Sequence, residues 1–289
     1  MRFDKLSTRT MHLANRMVMA PMTRSRAPPA HTPDALMATH YNQRESTGPI
    51  IIDGSSPSPN GLFYLRIPGL YDEAQVDAWK DATAAVHTSA DKTSSGKIFV
   101  QFMHCGRVAH VANLPVGADV LAPSAGVCPG EMYTDTLGMQ PPSVLRAMTA
   151  DDTADAVNEH AAPAKLALDA GFDGVELHGA NGYSIELFLN PLINQRTDAY
   201  GGSIESRNRL ALEVARAHVA ALGRDRVGVR LSLEGALNGA GECPEVRVQY
   251  PALAKLPRMR KETPLNATHM ATFYTPGAKG YTDYPALAA

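Results

Sequence analysis

The stretch Gly174-Val-Glu-Leu-His178-Gly-Ala-Asn181-Gly-Tyr183 joins a short apolar run to a cluster of polar side chains. Residues 174–177 are typical of a buried parallel strand, which is covered on both faces and therefore apolar along its length. Side chains at the carboxyl end of such a strand lie where α/β enzymes place their active sites. The stretch therefore predicts an α/β fold with a functional site directly after this strand.

Four other apolar runs rich in β-branched residues are also predicted to be strands. They are residues 17–20, 49–52, 97–102 and 227–231. Repeated strand–helix units of this kind are typical of an eight-stranded (β/α)8 barrel or of a doubly wound open sheet. Composition and periodicity do not separate these two folds.

Three helices are predicted between the strands. One begins after Asp72, with Gln75 three residues on, and another begins after Thr149 with Asp152 as its capping partner and ends at Gly171. Pro163 interrupts the second helix, and a proline inside a helix removes a hydrogen bond at a cost of about 3 kcal/mol. The third helix spans residues 204–222, with its apolar residues on one face.

Composition excludes several classes of protein. The net charge is −2 with Lys and Arg scattered singly, which argues against a nucleic-acid partner. The three cysteines are far apart, so their spacing fits neither a disulfide framework nor a metal site. The sequence has no apolar run of about 18 residues and no apolar centre of a signal peptide, so we expect a cytoplasmic protein without a membrane anchor.

The chemistry after the 174–177 strand suits an unsaturated carbonyl compound. His178 and Asn181 on one turn can donate hydrogen bonds to a carbonyl oxygen, which makes the β carbon of a conjugated alkene accept hydride. Tyr183 can then protonate the α carbon. The alternative is structural, with His178 a satisfied polar residue at a strand end and Tyr183 a half-buried aromatic residue.

Longer motifs carry a resemblance that favours the catalytic interpretation. Residues 178–191 and 194–207 resemble the signature of the Old Yellow Enzyme family of FMN-dependent ene-reductases, which includes 12-oxophytodienoate reductases. The resemblance also covers residues 20–24, 101–107, 226–232, 266–274 and 277–285. It implies a TIM (β/α)8 barrel, FMN as cofactor, NAD(P)H as electron donor and an enone-type substrate. A homo-oligomer is compatible with it.

The resemblance also implies roles for particular residues. His178, Asn181 and Tyr183 would be catalytic, with the first two also binding substrate. Arg230 would lie near N1 and O2 of the flavin, where a guanidinium favours the anionic reduced ring; its alternative role is a structural salt bridge. The other residues implied to contact the flavin are Pro21, Met22, Thr23, Gly54 and Gln101.

Tyr64 and Tyr281 match tyrosines that reach over the substrate face of the flavin in the family, although both could be packing residues. Met103 stands where relatives often have Trp, and a thioether chain adapts its shape more readily than an indole. The neighbouring Cys105 is predicted to be a buried filler rather than a redox switch.

The chain also departs from the family pattern. Only 35 residues separate Arg230 from Asn266, whereas three βα units need about 90 residues at roughly 30 each. We therefore predict one domain over residues 1–289, an incomplete barrel of about five strands. Residues 111–146 form an excursion, and residues 232–264 an irregular, shortened region. In the family the phosphate of FMN is held after the seventh and eighth strands, and no matching residues can be named.

Three functions compete. The first is an FMN-dependent ene-reductase that transfers hydride from NAD(P)H through flavin to an α,β-unsaturated acceptor. The second is a non-catalytic truncated paralogue that no longer binds FMN. The third is a dienoyl-CoA-reductase-like enzyme with an iron–sulfur cluster, which the cysteine spacing excludes. No metal site is predicted.

Overall fold

The structure is a computed structural model, and it describes residues 3–8, 10–62, 64–88, 96–232, 237–241, 243 and 245. The strands are β1 (Leu6–Ser7), β2 (His12–Leu13), β3 (Pro49–Ser55), β4 (Lys97–Phe102), β5 (Leu121–Ala122), β6 (Met132–Thr134), β7 (Gly138–Gln140), β8 (Arg146–Ala147), β9 (Gly174–Gly179) and β10 (Val227–Leu231). The α-helices are α1 (Ala35–Asn42), α2 (Glu73–His87), α3 (Ala150–Ala161), α4 (Ala164–Asp169), α5 (Ser184–Leu189) and α6 (Ile204–Leu222).

A parallel sheet forms the centre of the fold, with the strand order β3-β4-β9-β10. Met19 adds a parallel bridge to Ile50 at the outer edge of β3. The strands therefore neighbour one another in the order of the sequence, whereas a doubly wound sheet reverses its order at a switch point. This order is that of a (β/α)8 barrel, and within the described residues nothing joins β10 back to Met19. The prediction of an incomplete barrel is confirmed.

The first predicted strand, residues 17–20, is wrong as an extended element. Met19 forms one bridge: its N–H donates to the Pro49 carbonyl at 3.0 Å and its carbonyl accepts from Ile51 at 3.0 Å, while the Met17 carbonyl accepts the Gly48 N–H at 2.8 Å. Pro21 follows two residues later and has no N–H to donate. The ladder consequently ends after one bridge.

Two other strands extend further than predicted. β3 continues to Ser55, and β9 continues to Gly179 because it pairs with β10 as far as the partners Gly179 and Leu231. His178 therefore lies on the strand instead of following it, which fixes its backbone in the ladder. The predicted bounds of β4 and β10 are confirmed.

The predicted helix starts are confirmed. The Asp72 carboxylate accepts the Gln75 N–H at 2.8 Å at the start of α2, and Thr149 and Asp152 form a reciprocal capping box at the start of α3. α6 has the predicted bounds. The single helix expected from Thr149 to Gly171 is instead two helices: Pro163 separates α3 from α4, because proline has no N–H for the helical ladder.

The largest apolar core lies between one face of the sheet and the helices α1, α2 and α4. Ile50, Ile98 and Val175 of the strands face this core, which Trp79 of α2 fills with its fully buried indole. Trp79 also donates from Nε1 to the Gly69 carbonyl at 3.0 Å, which satisfies its polar atom. Side chains that alternate with these along the strands point to the opposite face of the sheet.

Residues 111–146, the predicted excursion, contain short strands outside the central sheet. They include the antiparallel hairpin of β6 and β7, and β5 pairs in parallel with β8 at the end of the excursion. Four buried residues of the excursion, Val120, Ala122, Cys128 and Leu145, pack in one cluster with Cys105, Tyr183 and Leu187. Burial raises the pKa of the Cys105 thiol well above its usual range, so this cysteine is the inert filler that the sequence predicts.

Three buried histidines lie behind the carboxyl end of β4. The ring centroids of His104 and His160 are 5.5 Å apart, and those of His218 and Phe102 are 5.8 Å apart. Neither ring nitrogen of His160 has a hydrogen-bond partner in the structure. Desolvation lowers the pKa of His160 well below its usual range, and the neighbouring His104 and His218 lower it further.

We predict that this cluster makes the fold sensitive to acid. The unfolded chain binds a proton at His160 near its ordinary pKa and the folded chain does not, so stability is complete above about pH 6.5 and falls as the pH decreases below it. His160→Leu should flatten this loss by up to about 1.4 kcal/mol per pH unit, the limit for one proton. Denaturant unfolding at pH 7.5, 6.5 and 5.5 measures the effect, with His12→Gln at an exposed position as control. An unchanged pH slope in His160→Leu would contradict the assignment.

Candidate functional site

A cleft opens at the carboxyl ends of the parallel strands. Its volume is about 260 Å³, and its lining contains every predicted site residue except two. The lining residues are Pro21, Met22, Thr23, Tyr64, Gln101, Met103, His178, Asn181, Tyr183 and Arg230. Of the two exceptions, Gly54 lies beneath Met103, and Tyr281 lies outside the described residues. Residues far apart in the sequence thus meet where the fold places active sites.

His178 and Arg230 are side by side because β9 and β10 pair in parallel with these two residues as partners. His178 is 4% exposed. Desolvation lowers the pKa of His178 to about 3, and the positive charge of Arg230 lowers it further. Nδ1 of His178 receives the Ala180 N–H at 3.3 Å, which assigns the ring proton to Nε2. The imidazole is therefore a neutral N–H donor at physiological pH.

The turn that follows β9 has a backbone conformation that needs support. Asn181 has φ +61° and Gly182 has φ +76°, both in the left-handed region. A Cβ at Gly182 would meet the Leu237 carbonyl oxygen at 2.8 Å, so only glycine fits at this position. The turn thus depends on partners elsewhere in the chain.

Three side chains hold this turn in place. Ser232 Oγ accepts the Asn181 N–H at 2.9 Å, and the Glu186 carboxylate accepts the Gly182 N–H at 2.6 Å. Ser232 also donates to Glu186 at 3.2 Å. From the other side, Asn238 Nδ2 donates to the Asn181 carbonyl at 2.8 Å. Sequence reasoning assigned no role to Glu186 or Asn238, since their contacts arise only when the chain folds.

Tyr183 is the last residue of the turn and precedes α5. Its ring stands edge-on to His178 with centroids 4.9 Å apart, and its hydroxyl lies 3.5 Å from that of Tyr64. Burial is the main cause that raises the pKa of Tyr183 far above its ordinary value. The phenol is therefore protonated at every physiological pH, as a proton donor must be.

A polar pair lies deeper in the sheet, below the cleft. Gln101 on β4 donates from Nε2 to the Glu176 carboxylate on β9 at 2.7 Å. Burial raises the pKa of Glu176, while the Gln101 hydrogen bond and the charge of Arg230 oppose that rise. Glu176 orients the amide of Gln101 toward the sheet interior. The sequence did not single out Glu176, because it looks like one polar residue within an apolar run.

Gly54 leaves room for the side chain of Met103. A Cβ at Gly54 would meet Met103 Cε at 2.2 Å, so the missing side chain is the room in which the Met103 side chain lies. Met103 in turn lines the cleft. The predicted close contact of Gly54 with a flavin stays a prediction, and in this structure the thioether stands between Gly54 and the cleft.

The cleft combines an imidazole N–H, a phenol and a guanidinium with apolar side chains. The Arg230 side chain makes no ion pair or hydrogen bond within the described residues, and its charge acts on His178 and on the Glu176 carboxyl below the cleft. The alternative role of Arg230 as a structural salt bridge finds no support in that part of the chain.

The described residues hold no cluster of His, Cys, Asp and Glu fit for a metal ion. Nor do they include a helix long and apolar enough to cross a membrane.

A model of the NADH:flavin oxidoreductase / NADH oxidase family matches residues 3–277. A probable flavin mononucleotide-dependent alkene reductase of Leishmania infantum is 42% identical over 243 residues, which are 82% of this chain and 65% of that protein. The flavin oxidoreductase hxnT of Emericella nidulans is 39% identical over 240 residues, which are 80% of this chain and 58% of that protein. The chain thus spans less than two thirds of the length of these two relatives.

Solved structures of Old Yellow Enzyme type also superpose on this chain. The old yellow enzyme homologue from Zymomonas mobilis superposes with a TM-score of 0.90 at 31% identity, over 99% of each chain. Morphinone reductase in complex with tetrahydroNAD superposes with a TM-score of 0.90 at 30% identity, over 98% of this chain and 97% of that chain. These superpositions extend further along both chains than the sequence matches do.

We predict that His178 does not titrate near neutral pH. Because its pKa is about 3, the ¹³Cε1 and ¹Hε1 shifts of His178 should stay constant between pH 5 and 8, measured by NMR and assigned through His178→Gln. Arg230→Met removes the neighbouring positive charge and should move the pKa of His178 upward. A His178 resonance with a midpoint between pH 5 and 8 in the unsubstituted protein would refute the neutral donor.

Proposed function

The chain belongs to the NADH:flavin oxidoreductase / NADH oxidase family, the family of the Old Yellow Enzymes, and from that membership we propose that it is an FMN-dependent ene-reductase. Its electron donor is NAD(P)H and its acceptor is an α,β-unsaturated carbonyl compound or a similar activated alkene. The observation that carries the proposal is the convergence of His178, Asn181 and Tyr183 with Arg230 in one cleft.

The cleft suits the ring of FMN on two grounds. Arg230 lines the cleft with a guanidinium that makes no ion pair within the described residues, and a reduced flavin is electron-rich at its pyrimidine edge. Met22 is 60% exposed, an apolar surface suited to lie against a planar ring. Thr23 and Gln101 would add a hydroxyl and an amide at the ring edge. Arg230 and His178 are the only basic side chains in the part of the cleft lining that the structure describes. The described residues of this lining therefore include partners for the flavin ring but no second cation for the phosphate of FMN.

Bound FMN would supply the hydride chemistry that links NAD(P)H to the β carbon of the acceptor. The protein side chains bind the substrate and transfer the proton. The N–H of His178 and the amide of Asn181 bind the carbonyl oxygen of the substrate and stabilise the negative charge that develops on it. Tyr183 delivers the proton to the α carbon. Tyr64, whose hydroxyl is 3.5 Å from that of Tyr183, lies on the same side of the cleft and is suited to contact the substrate.

The first prediction of this proposal concerns cofactor binding. Protein purified without added flavin and titrated with FMN should bind it with perturbed visible absorption between roughly 350 and 500 nm. Arg230→Met should weaken FMN binding roughly tenfold, since it removes one charged contact. Arg226→Met is the matched control, because Arg226 is exposed at the opposite end of β10. A protein that stays colourless at saturating FMN would leave the non-catalytic paralogue as the function.

The second prediction separates the proton donor from the cofactor. Tyr183→Phe should lower the rate of alkene reduction by about 10²- to 10⁴-fold, because it removes the acid, and should leave the bleaching of the flavin by NADPH nearly unchanged. Stopped-flow absorbance at the flavin band measures both rates. Tyr133→Phe, in the hairpin strand β6, serves as control. Equal alkene reduction by Tyr183→Phe and the unsubstituted protein would assign the proton to another group.

A further inference from the structure

Asn238 contacts two residues of the candidate site, Asn181 and Tyr183. Its amide donates to the Asn181 carbonyl at 2.8 Å, and it also hydrogen-bonds the phenol of Tyr183. Asn238 does not line the cleft itself. It lies behind the turn that carries Asn181 and Tyr183, in the region that the sequence described only as irregular.

The backbone around Asn238 is built to hold this position. Asn238 has φ +55°, a left-handed conformation that asparagine tolerates better than most residues. Nη2 of the buried Arg107 donates to the Asn238 carbonyl at 2.7 Å. The Cβ of Asn238 lies 3.0 Å from the point where a side chain at Gly182 would begin, so the two backbones are in close contact. Arg107 and Gly182 thereby fix the distance between Asn238 and the turn.

The hydrogen bond to the phenol has a direction that matters for proton transfer. An amide N–H that donates to the Tyr183 oxygen favours the phenolate, and this bond lowers the pKa of Tyr183 against the opposing effect of burial. Tyr64, the other hydroxyl near Tyr183, has the opposite effect and raises that pKa. Asn238 is thus the neighbour that assists loss of the proton.

We propose that Asn238 is a positioning residue for alkene reduction: it locks the turn from Asn181 to Tyr183 and donates a hydrogen bond to Tyr183 as that residue releases its proton. This inference rests on the proposed function. In the step, the π bond of the alkene breaks while the β carbon gains hydride from the cofactor and the α carbon gains the proton of Tyr183. The O–H bond of Tyr183 breaks, the negative charge stays on its oxygen beside the Asn238 amide, and water later returns the proton.

Two substitutions isolate the amide donor from backbone strain. Asn238→Asp keeps the shape and replaces the N–H donor by a carboxylate, and Asn238→Gly removes the side chain while tolerating the positive φ. Both should lower the kcat of alkene reduction by about 10- to 100-fold, the usual effect of removing a hydrogen bond to a developing charge. Ferricyanide reduction by the FMN-loaded protein, which needs no proton at carbon, should be unchanged.

The matched control is Ser232→Ala, which loosens the same turn at the Asn181 N–H without touching the phenol. The Asn238 variants should increase the solvent deuterium isotope effect on kcat, because proton transfer becomes slower in them. Ser232→Ala should keep the isotope effect of the unsubstituted protein. If Asn238 acted only on turn structure, Ser232→Ala and Asn238→Gly would give the same isotope effect, and the proposal would be wrong.

A measurement without cofactor or substrate separates this inference from the proposed function. In flavin-free protein with ¹³C-labelled tyrosines, the Cζ resonance of Tyr183, assigned through Tyr183→Phe, should shift in Asn238→Asp and Asn238→Gly but not in Ser232→Ala. An unsubstituted protein that reduces no alkene would overturn the proposed function, whereas the Cζ shift would still report the hydrogen bond. An active protein whose Asn238 variants keep both kcat and the Cζ shift would overturn the inference alone.

Discussion

The parallel pairing of β9 with β10 is the constraint on which the candidate site depends. It makes His178 and Arg230 partners in the ladder, so a potential hydrogen-bond donor and a fixed positive charge lie next to each other on a rigid sheet. The same ladder ends at Gly179, and the polar turn begins there. A slip of one residue would move every side chain to the other face of the sheet, so the register determines the chemistry of the cleft.

Burial gives two titratable groups of the cleft the protonation states that alkene reduction requires. It lowers the pKa of His178 and raises the pKa of Tyr183, so the first is a neutral N–H donor and the second a protonated acid at the same pH. Opposite shifts from one cause follow because burial disfavours whichever form carries charge. Arg230 keeps its charge at the edge of the same cleft and reinforces the neutral state of His178.

The turn between β9 and α5 stores conformational strain that other segments offset. Two consecutive residues with positive φ are unfavourable for an isolated chain, and the hydrogen bonds from Ser232, Glu186 and Asn238 hold them. All three partners follow the turn in the chain, and two of them follow β10. The candidate site is thus assembled only when β10 has paired with β9, which couples the geometry of the site to the completeness of the sheet.

The sequence by itself determined the strand–helix repeat, the start of α2 and α3, the bounds of α6, and nearly all of the residues that line the cleft. Capping side chains and buried apolar runs determine the helix ends and the strands. The cleft residues were identified by the resemblance of a long motif. Periodicity did not distinguish a barrel from a doubly wound sheet, because strand order is a property of the folded chain. The sequence also missed the length of β9 and the supporting roles of Glu186 and Asn238. Only the tertiary structure decided these features, because strand pairing, left-handed backbone conformations and long-range hydrogen bonds leave no periodic signal in a sequence. The hydrogen bond from Asn238 to Asn181, for example, spans more than 50 residues.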